Sequence, residues 1–164
     1  MKSVAVRALV ALGALLVLGS VNLAIAGKEH TKREGEIVYL PLAPVDPRSL
    51  VQGDYMALRF SLARDIERRD ADDKRAEREG DVAYAAVTLD DKRVATLAGD
   101  GVAVPMKLRY RIREGRVWLG TNAFFFEEGT AERLRTARYG EFRVDRSSGE
   151  AVLVGLRDER FAAL

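Results

Sequence analysis

VAVPMKLRYRIR, residues 102–113, is the stretch that decides the fold, because it has the clearest strand-like alternation in the chain. Apolar side chains recur at every second position, and basic side chains occupy the positions between them, which is the period of a half-buried β-strand. The basic side chains belong to Lys107, Arg109, Arg111 and Arg113. Gly115 then turns the chain into residues 117–119, the expected antiparallel partner. The stretch therefore predicts a sheet with one face in a core.

Short strand-like runs separated by turns continue on both sides of this hairpin. Further strands are predicted over residues 37–42, 55–62, 82–89, 93–97, 141–144 and 151–156. A short helix is predicted over residues 130–138, since Gly140 ends the helical pattern. The order of elements predicts a β-dominated α+β domain, built on an antiparallel bent sheet or a small, partly open barrel with one or two short helices.

Residues 63–79 interrupt the strand pattern with a dense run of charge. Of these 17 residues, 13 are charged, and both signs are present. Only Ile66 and the alanines of this run can contact a core. The helix-forming composition and the short-range pairs of opposite charge favour a solvated helical insertion, and a disordered insertion is the alternative.

An apolar segment, residues 1–26, precedes the domain. Its residues 8–26 carry no charge, and as a helix they would extend roughly 28 Å, close to the thickness of the hydrocarbon layer of a bilayer. One interpretation is an uncleaved signal anchor that forms a transmembrane helix. The other is a signal peptide that is cleaved after Ala26, where Ala-Ile-Ala matches the small-residue pattern of a cleavage site. Residues 27–36, GKEHTKREGE, form a polar juxtamembrane tether, and 37–164 form the domain.

The composition excludes several classes of function. The 164 residues include 27 Lys and Arg, 25 Asp and Glu, one His and no Cys. A chain without Cys has no disulfide framework, thiolate zinc site, iron–sulfur cluster or cysteine nucleophile, and His30 alone cannot supply two imidazoles. The net charge of +2 comes from residues 1–26, so the domain is neutral and lacks the overall basicity of a nucleic-acid-binding protein. We expect no nucleic acid, cofactor or metal.

The densest polar cluster is residues 46–55, DPRSLVQGDY. Functional residues concentrate on rigidly held loops, so this corner is a candidate binding surface, whereas the alternative is a strand entry whose Asp side chains bond nearby backbone groups. Two glutamates further along could add carboxylates for acid–base chemistry or Ca²⁺ binding, or simply favour a helix start. The candidate binding residues are Asp46, Arg48, Gly53, Asp54, Tyr55, Glu127, Glu128 and Arg138.

The same region resembles the GDYXXLXY family. The resemblance rests on two blocks and is supported by two later segments: LAPVDPRSL (42–50), GDYMALRF (53–60), FFFEEG (124–129) and ARYGE (137–141). The second block departs from the family pattern at its last position, where Phe60 replaces Tyr. The resemblance covers roughly residues 20–164. It implies an amino-terminal membrane anchor, an exported domain and association with multi-pass membrane proteins, and it supplies no catalytic residues.

Two further patterns predict surface contacts. The four cations of residues 107–113 repel one another unless they meet carboxylates across the sheet or an anionic surface, so they predict either cross-strand ion pairs or contact with anionic lipid headgroups. The run Phe124-Phe125-Phe126 cannot point entirely inward if it is a strand. Either the three rings lie in the core through a turn, or Phe125 is exposed and marks a contact with a partner or membrane.

We therefore expect a single-pass protein of the bacterial inner membrane with an extracytoplasmic domain. Its expected role is binding or assembly with another integral membrane protein, through the 46–54 corner and residues 124–126, without catalytic residues. The alternative is a carboxylate-based hydrolase-like or ligand-binding periplasmic domain. Convergence of Asp46, Asp54 and Glu127 in one pocket would favour that alternative.

Overall fold

The computed structural model describes residues 2–43, 51–52, 55–72, 80–99, 106–127 and 129–164. The helices are α1 (Lys2–Glu34), α2 (Ser61–Asp72) and α3 (Ala131–Leu134). The strands are β1 (Glu36–Pro41), β2 (Val51–Gln52), β3 (Tyr55–Ala57), β4 (Val82–Leu89), β5 (Ala95–Leu97), β6 (Met106–Arg113), β7 (Arg116–Trp118), β8 (Ala123–Phe125), β9 (Tyr139–Val144) and β10 (Ala151–Arg157). Most strands pair antiparallel, and the fold is a β-dominated α+β fold with one curled half-barrel sheet. The predicted fold class is confirmed.

The alternation of apolar and basic side chains predicted for residues 102–113 is present in β6. Met106, Leu108 and Tyr110 are buried, and the basic residues between them lie on the outer face. Strand β6 pairs with β4 on one side and with β7 on the other, in a sheet of order β5-β4-β6-β7. Cross-strand neighbours share a face, so buried Ala85 of β4 lies opposite Leu108. The apolar face of this sheet forms one wall of the core.

A second sheet, of order β1-β9-β10, continues the curl. The backbone N–H of Tyr39 donates to the carbonyl of Arg93 at 2.9 Å, and that of Arg109 donates to the carbonyl of Gly149 at 2.8 Å. Gly149 has φ +70°, and a Cβ there would lie 3.0 Å from the carbonyl oxygen of Lys107. Glycine thus allows the β9–β10 turn to approach β6 closely enough to join the two sheets.

The strand predicted over 55–62 is wrong in its second half. Strand β3 ends at Ala57, and α2 begins at Ser61. The alternation of Met56, Leu58 and Phe60 was nevertheless the correct guide to burial, since each of these side chains is at most 3% exposed. The error arises because the next apolar residue, Leu62, suits both patterns.

Helix α2 covers the first part of the charged segment, and residues 73–79 lie outside the described residues. Its apolar stripe is Leu62, Ala63 and Ile66, all buried, and the helix packs against β7, β5 and β1. The helix predicted over 130–138 is shorter than expected, because α3 spans Ala131–Leu134. Leu134 and Ala137 of this region reach the core, and the chain enters β9 at Tyr139.

Helix α1 does not stop where the apolar run ends. It continues to Glu34, so most of the polar 27–36 segment is helical. The end of α1 packs against β9 and β10, and Thr31 in this part of the helix is only 3% exposed. Among the described residues, one helical segment, Val6–Glu34, is long and apolar enough to cross a membrane, and the mean hydropathy of its most apolar window is 2.3. By length and composition α1 is a candidate membrane span.

Candidate binding surfaces

The centre of the predicted polar corner, residues Asp46, Arg48, Gly53 and Asp54, lies outside the described residues, as does Glu128. Tyr55, at the end of that corner, is the first residue of β3 and is 39% exposed. It pairs in register with Phe125 of β8, and the two rings are 6.1 Å apart between centroids at 46°. We call this pair the aromatic surface.

Phe125 is the most exposed large apolar side chain of the described domain, at 76%. Its neighbours Phe124 and Phe126 are partly buried and pack against the core. The Phe run is therefore a strand whose middle ring points outward, which was one of the two outcomes that its spacing allowed. The expectation that all three rings enter the core through a turn is wrong, because β8 keeps the period of a strand.

Glu127 and Arg138 do not join the aromatic surface in a shared cleft. Glu127 follows β8 and is exposed. Arg138 is also exposed, and its guanidinium donates to the neighbouring carbonyl of Ala137 at 3.1 Å. The backbone of Arg138 links two segments of the chain. Its carbonyl accepts a hydrogen bond from the N–H of Leu42 at 2.8 Å, and its N–H donates to the carbonyl of Arg157 at 2.8 Å.

The basic stripe, Lys107, Arg109, Arg111 and Arg113, does not form the cross-strand ion pairs that its alternation allowed. Their partners across the sheet are Ala86, Tyr84, Val82, Trp118 and Arg116. Within the described part of the chain, no carboxylate forms an ion pair with any of the four. Arg113 instead stacks over Trp118, with its guanidinium carbon 5.3 Å from the ring centroid. The stripe remains a cationic surface.

Sequence analysis missed a further cation that belongs to this surface. Lys28, on the last turns of α1, lines a cleft of about 300 Å³ together with Arg109, Arg111, Arg113 and Trp118. The cleft also contains Glu150, whose carboxylate is 3.2 Å from the ammonium of Lys28. We call it the anchor cleft. The sequence feature that pointed to this cleft is the position of Lys28, two residues after the apolar segment 1–26.

A second cleft, of about 370 Å³, lies beside the aromatic surface. Tyr55 of β3, Arg64 of α2 and Trp118 of β7 are among its lining residues. Glu67, also in its wall, accepts a hydrogen bond from the backbone N–H of Val117 at 2.9 Å. The carboxylate of Glu67 thus pairs with a backbone N–H of β7, an edge strand. Glu127 is not among the residues that line this cleft.

Two carboxylates with lowered pKa values lie near the end of α1, and both have structural partners. A hydrogen bond from Arg146 is the main cause of the lowered pKa of Glu36, and the charges of Arg146 and Arg93 add to it. Hydrogen bonds from Ser147 and Ser148 lower the pKa of Asp145 to about 2. Among the described residues no group of three or more His, Asp or Glu could hold a metal ion.

The GDYMALRF block has a structural explanation in its described part. Leu58 and Phe60 are buried, and the Phe60 ring meets Phe142 edge-on at 5.2 Å between centroids. The backbone N–H of Leu58 donates to Asn122 at 2.7 Å, and Leu42 bridges to Phe60. The block therefore joins β3 to the core and leaves Tyr55 outside.

A family model described as GDYXXLXY protein matches residues 17–156, which is most of the chain. The chain belongs to the GDYXXLXY family. Neither a curated protein nor a solved structure matches it. In this GDYXXLXY protein the motif is thus a junction that forms the core and presents one aromatic ring to the surface.

Proposed function

We propose that this GDYXXLXY protein is a membrane-anchored binding module that assembles with another integral membrane protein through the aromatic surface. In this proposal α1 crosses the bacterial inner membrane once, and the domain lies on the extracytoplasmic side.

The observation that carries the proposal is the exposure of Phe125. A phenylalanine that leaves 76% of its surface in water forgoes the roughly 1.5–3 kcal/mol that burial of such a side chain provides. Beside it lies the partly exposed ring of Tyr55. Exposed aromatic clusters mark interaction sites, and aromatic side chains dominate the binding energy of protein interfaces.

The anchor narrows the class of partner. A helix that spans the bilayer restricts the domain to the membrane surface, where it meets the exposed parts of other membrane proteins at high effective concentration. An apolar ring pair of modest size then suffices for a specific contact. Of the residues named for the catalytic alternative, Glu127 and Arg138 line neither of the two clefts described above, and Asp46 and Asp54 lie outside the described residues.

Photo-crosslinking in native membranes tests the proposal. A photoreactive residue replaces Phe125 in the full chain, and the matched control replaces Tyr84, which is 53% exposed on the outer face of β4. We expect a covalent adduct with a second integral membrane protein from position 125 and none from position 84. No adduct from position 125, the same adduct from both positions, or an adduct of two copies of this chain would contradict the proposal.

Substitution of Phe125 measures how much the aromatic surface contributes to binding of the partner. Phe125→Ser should weaken co-purification of the crosslinked partner about 30-fold, the equivalent of about 2 kcal/mol for an aromatic anchor of an interface. Tyr84→Ser should leave co-purification unchanged. Equal losses in the two variants would mean that general surface apolarity, rather than the aromatic surface, retains the partner.

A further inference from the structure

We infer that the anchor cleft is a binding site for the phosphate headgroup of an anionic lipid. The inference is independent of the protein partner proposed above and requires only that α1 spans the bilayer. It rests on the position of the cleft, on its charge and on its aromatic side chain.

Position comes first. Lys28 lies two residues beyond Ala26, the last residue of the apolar segment 1–26, which is about 3 Å along the helix axis. The polar headgroup layer on each side of the hydrocarbon is about 5–7 Å thick. Since Lys28 lines the anchor cleft, the cleft opens at the depth where lipid phosphates lie.

Charge is the second argument. Among the described residues, four cationic side chains line the cleft against one carboxylate, Glu150, which is already paired with Lys28 at 3.2 Å. Arg109, Arg111 and Arg113 form no ion pair with a carboxylate in the described ranges. Guanidinium groups bind phosphate through paired, charge-assisted hydrogen bonds. Their mutual repulsion falls when a phosphate enters.

Trp118 is the third argument. It lies opposite Arg111 in the β6–β7 pairing and beneath the guanidinium of Arg113. Tryptophan is enriched at membrane interfaces, where an apolar ring with one polar group suits the headgroup layer. The outer face of the sheet adds Val82, which pairs with Arg111 and is 41% exposed. A basic and aromatic face next to a membrane helix matches an anionic lipid surface rather than a soluble anion.

The test uses the full chain and its single tryptophan. The protein is reconstituted in nanodiscs of phosphatidylcholine, or of an equimolar mixture of phosphatidylcholine and phosphatidylglycerol, and the emission of Trp118 is recorded. Native mass spectrometry then measures the ratio of the two lipids retained after detergent extraction. We expect the emission of Trp118 in the mixed nanodiscs to be shifted relative to its emission in nanodiscs of phosphatidylcholine alone. We also expect phosphatidylglycerol to be retained preferentially. Equal retention of both lipids would overturn the inference.

Three variants make the test specific. Arg109→Gln should lower the retention ratio about fivefold, the effect of one cation at a membrane surface. Arg133→Gln removes an exposed arginine of α3 that does not line the cleft, and it should leave the ratio unchanged. Glu150→Gln removes the carboxylate that pairs with Lys28 in the cleft and should raise the ratio. This change is opposite in direction to the loss expected for Arg109→Gln, so an unchanged or lower ratio in Glu150→Gln would contradict the inference.

A soluble-phosphate arm identifies the source of the anion. Inorganic phosphate is added to protein in nanodiscs of phosphatidylcholine alone. We expect no shift in Trp118 emission, because a free phosphate lacks the acyl chains that hold a lipid headgroup at the cleft. A shift equal to that in the mixed nanodiscs would overturn the lipid assignment and indicate a site for soluble anions.

Discussion

At the scale of single residues, the family motif divides its side chains between two tasks. Leu58 and Phe60 are buried, while Tyr55 is partly exposed beside Phe125. Alternation in the sequence predicted the buried set correctly. It named Phe125 as the ring that a strand would expose, but it could not decide between a strand and a turn at residues 124–126.

Gly140 provides a residue-scale prediction about the core around the motif. A Cβ at Gly140 would lie 2.8 Å from Cε1 of Phe60 and 3.0 Å from Cε2 of Phe142, and aromatic rings in a packed core cannot move aside cheaply. Gly140→Ala should lower the free energy of unfolding by about 1–3 kcal/mol through overpacking. Chemical unfolding of the full chain in nanodiscs measures it.

The matched control for that change is Gly155→Ala on β10. A Cβ at Gly155 would meet no atom within 4 Å, so stability should stay the same or rise slightly as the unfolded chain loses freedom. If Gly140→Ala behaves like this control, the close approach of Phe60 to β9 is not present in solution.

At the scale of elements, the sequence predicted the bounds of most strands more closely than the bounds of the helices. Alternation gave β4 its observed bounds and gave β6 its buried and outer faces. Leu62 fits a strand face and a helix stripe equally well, so the start of α2 at Ser61 could not be found locally. The extension of α1 to Glu34 depends on the packing of Thr31 against the domain, which no local pattern contains.

The turn between β9 and β10 gives a prediction on pH. The pKa of Asp145 is lowered to about 2 from 3.8, so the folded state binds fewer protons than the unfolded state between these values. The resulting stabilisation is complete above about pH 4 and is lost as the pH falls towards about 2. The carboxylate is exposed, so the effect should stay below about 1 kcal/mol.

Urea unfolding of the wild type and of Asp145→Asn over this range provides the measurement. The advantage of the wild type should shrink as the pH falls, because the variant lacks the titrating group. Glu36, whose pKa is also lowered, titrates in both proteins and cancels in the difference. A difference that is independent of pH would show that the serine hydrogen bonds do not stabilise the charged form.

At the scale of the whole molecule, the two proposed surfaces depend on contacts between distant parts of the chain. Lys28 and Arg109 line one cleft although 80 residues separate them in the chain, and Tyr55 reaches Phe125 through the pairing of β3 with β8. Sequence patterns assign residues to faces of elements, but the curl of the sheet decides which faces meet. The division into anchor, tether and domain, and the side of the membrane, remain predictions.

Both proposals require an uncleaved α1 that spans the membrane, and the proposed function also requires the domain to lie on the extracytoplasmic side. Because the chain has no cysteine, single substitutions allow unambiguous labelling with a membrane-impermeant maleimide. Ser148→Cys places a cysteine in the exposed β9–β10 turn, and Ser3→Cys places one before the uncharged run that begins at Ala8.

We predict that in intact spheroplasts Ser148→Cys is labelled and Ser3→Cys is labelled only after permeabilisation, with both labels on a chain of full length. A mature protein that has lost residue 3, or a Ser148→Cys label that requires permeabilisation, would contradict the account.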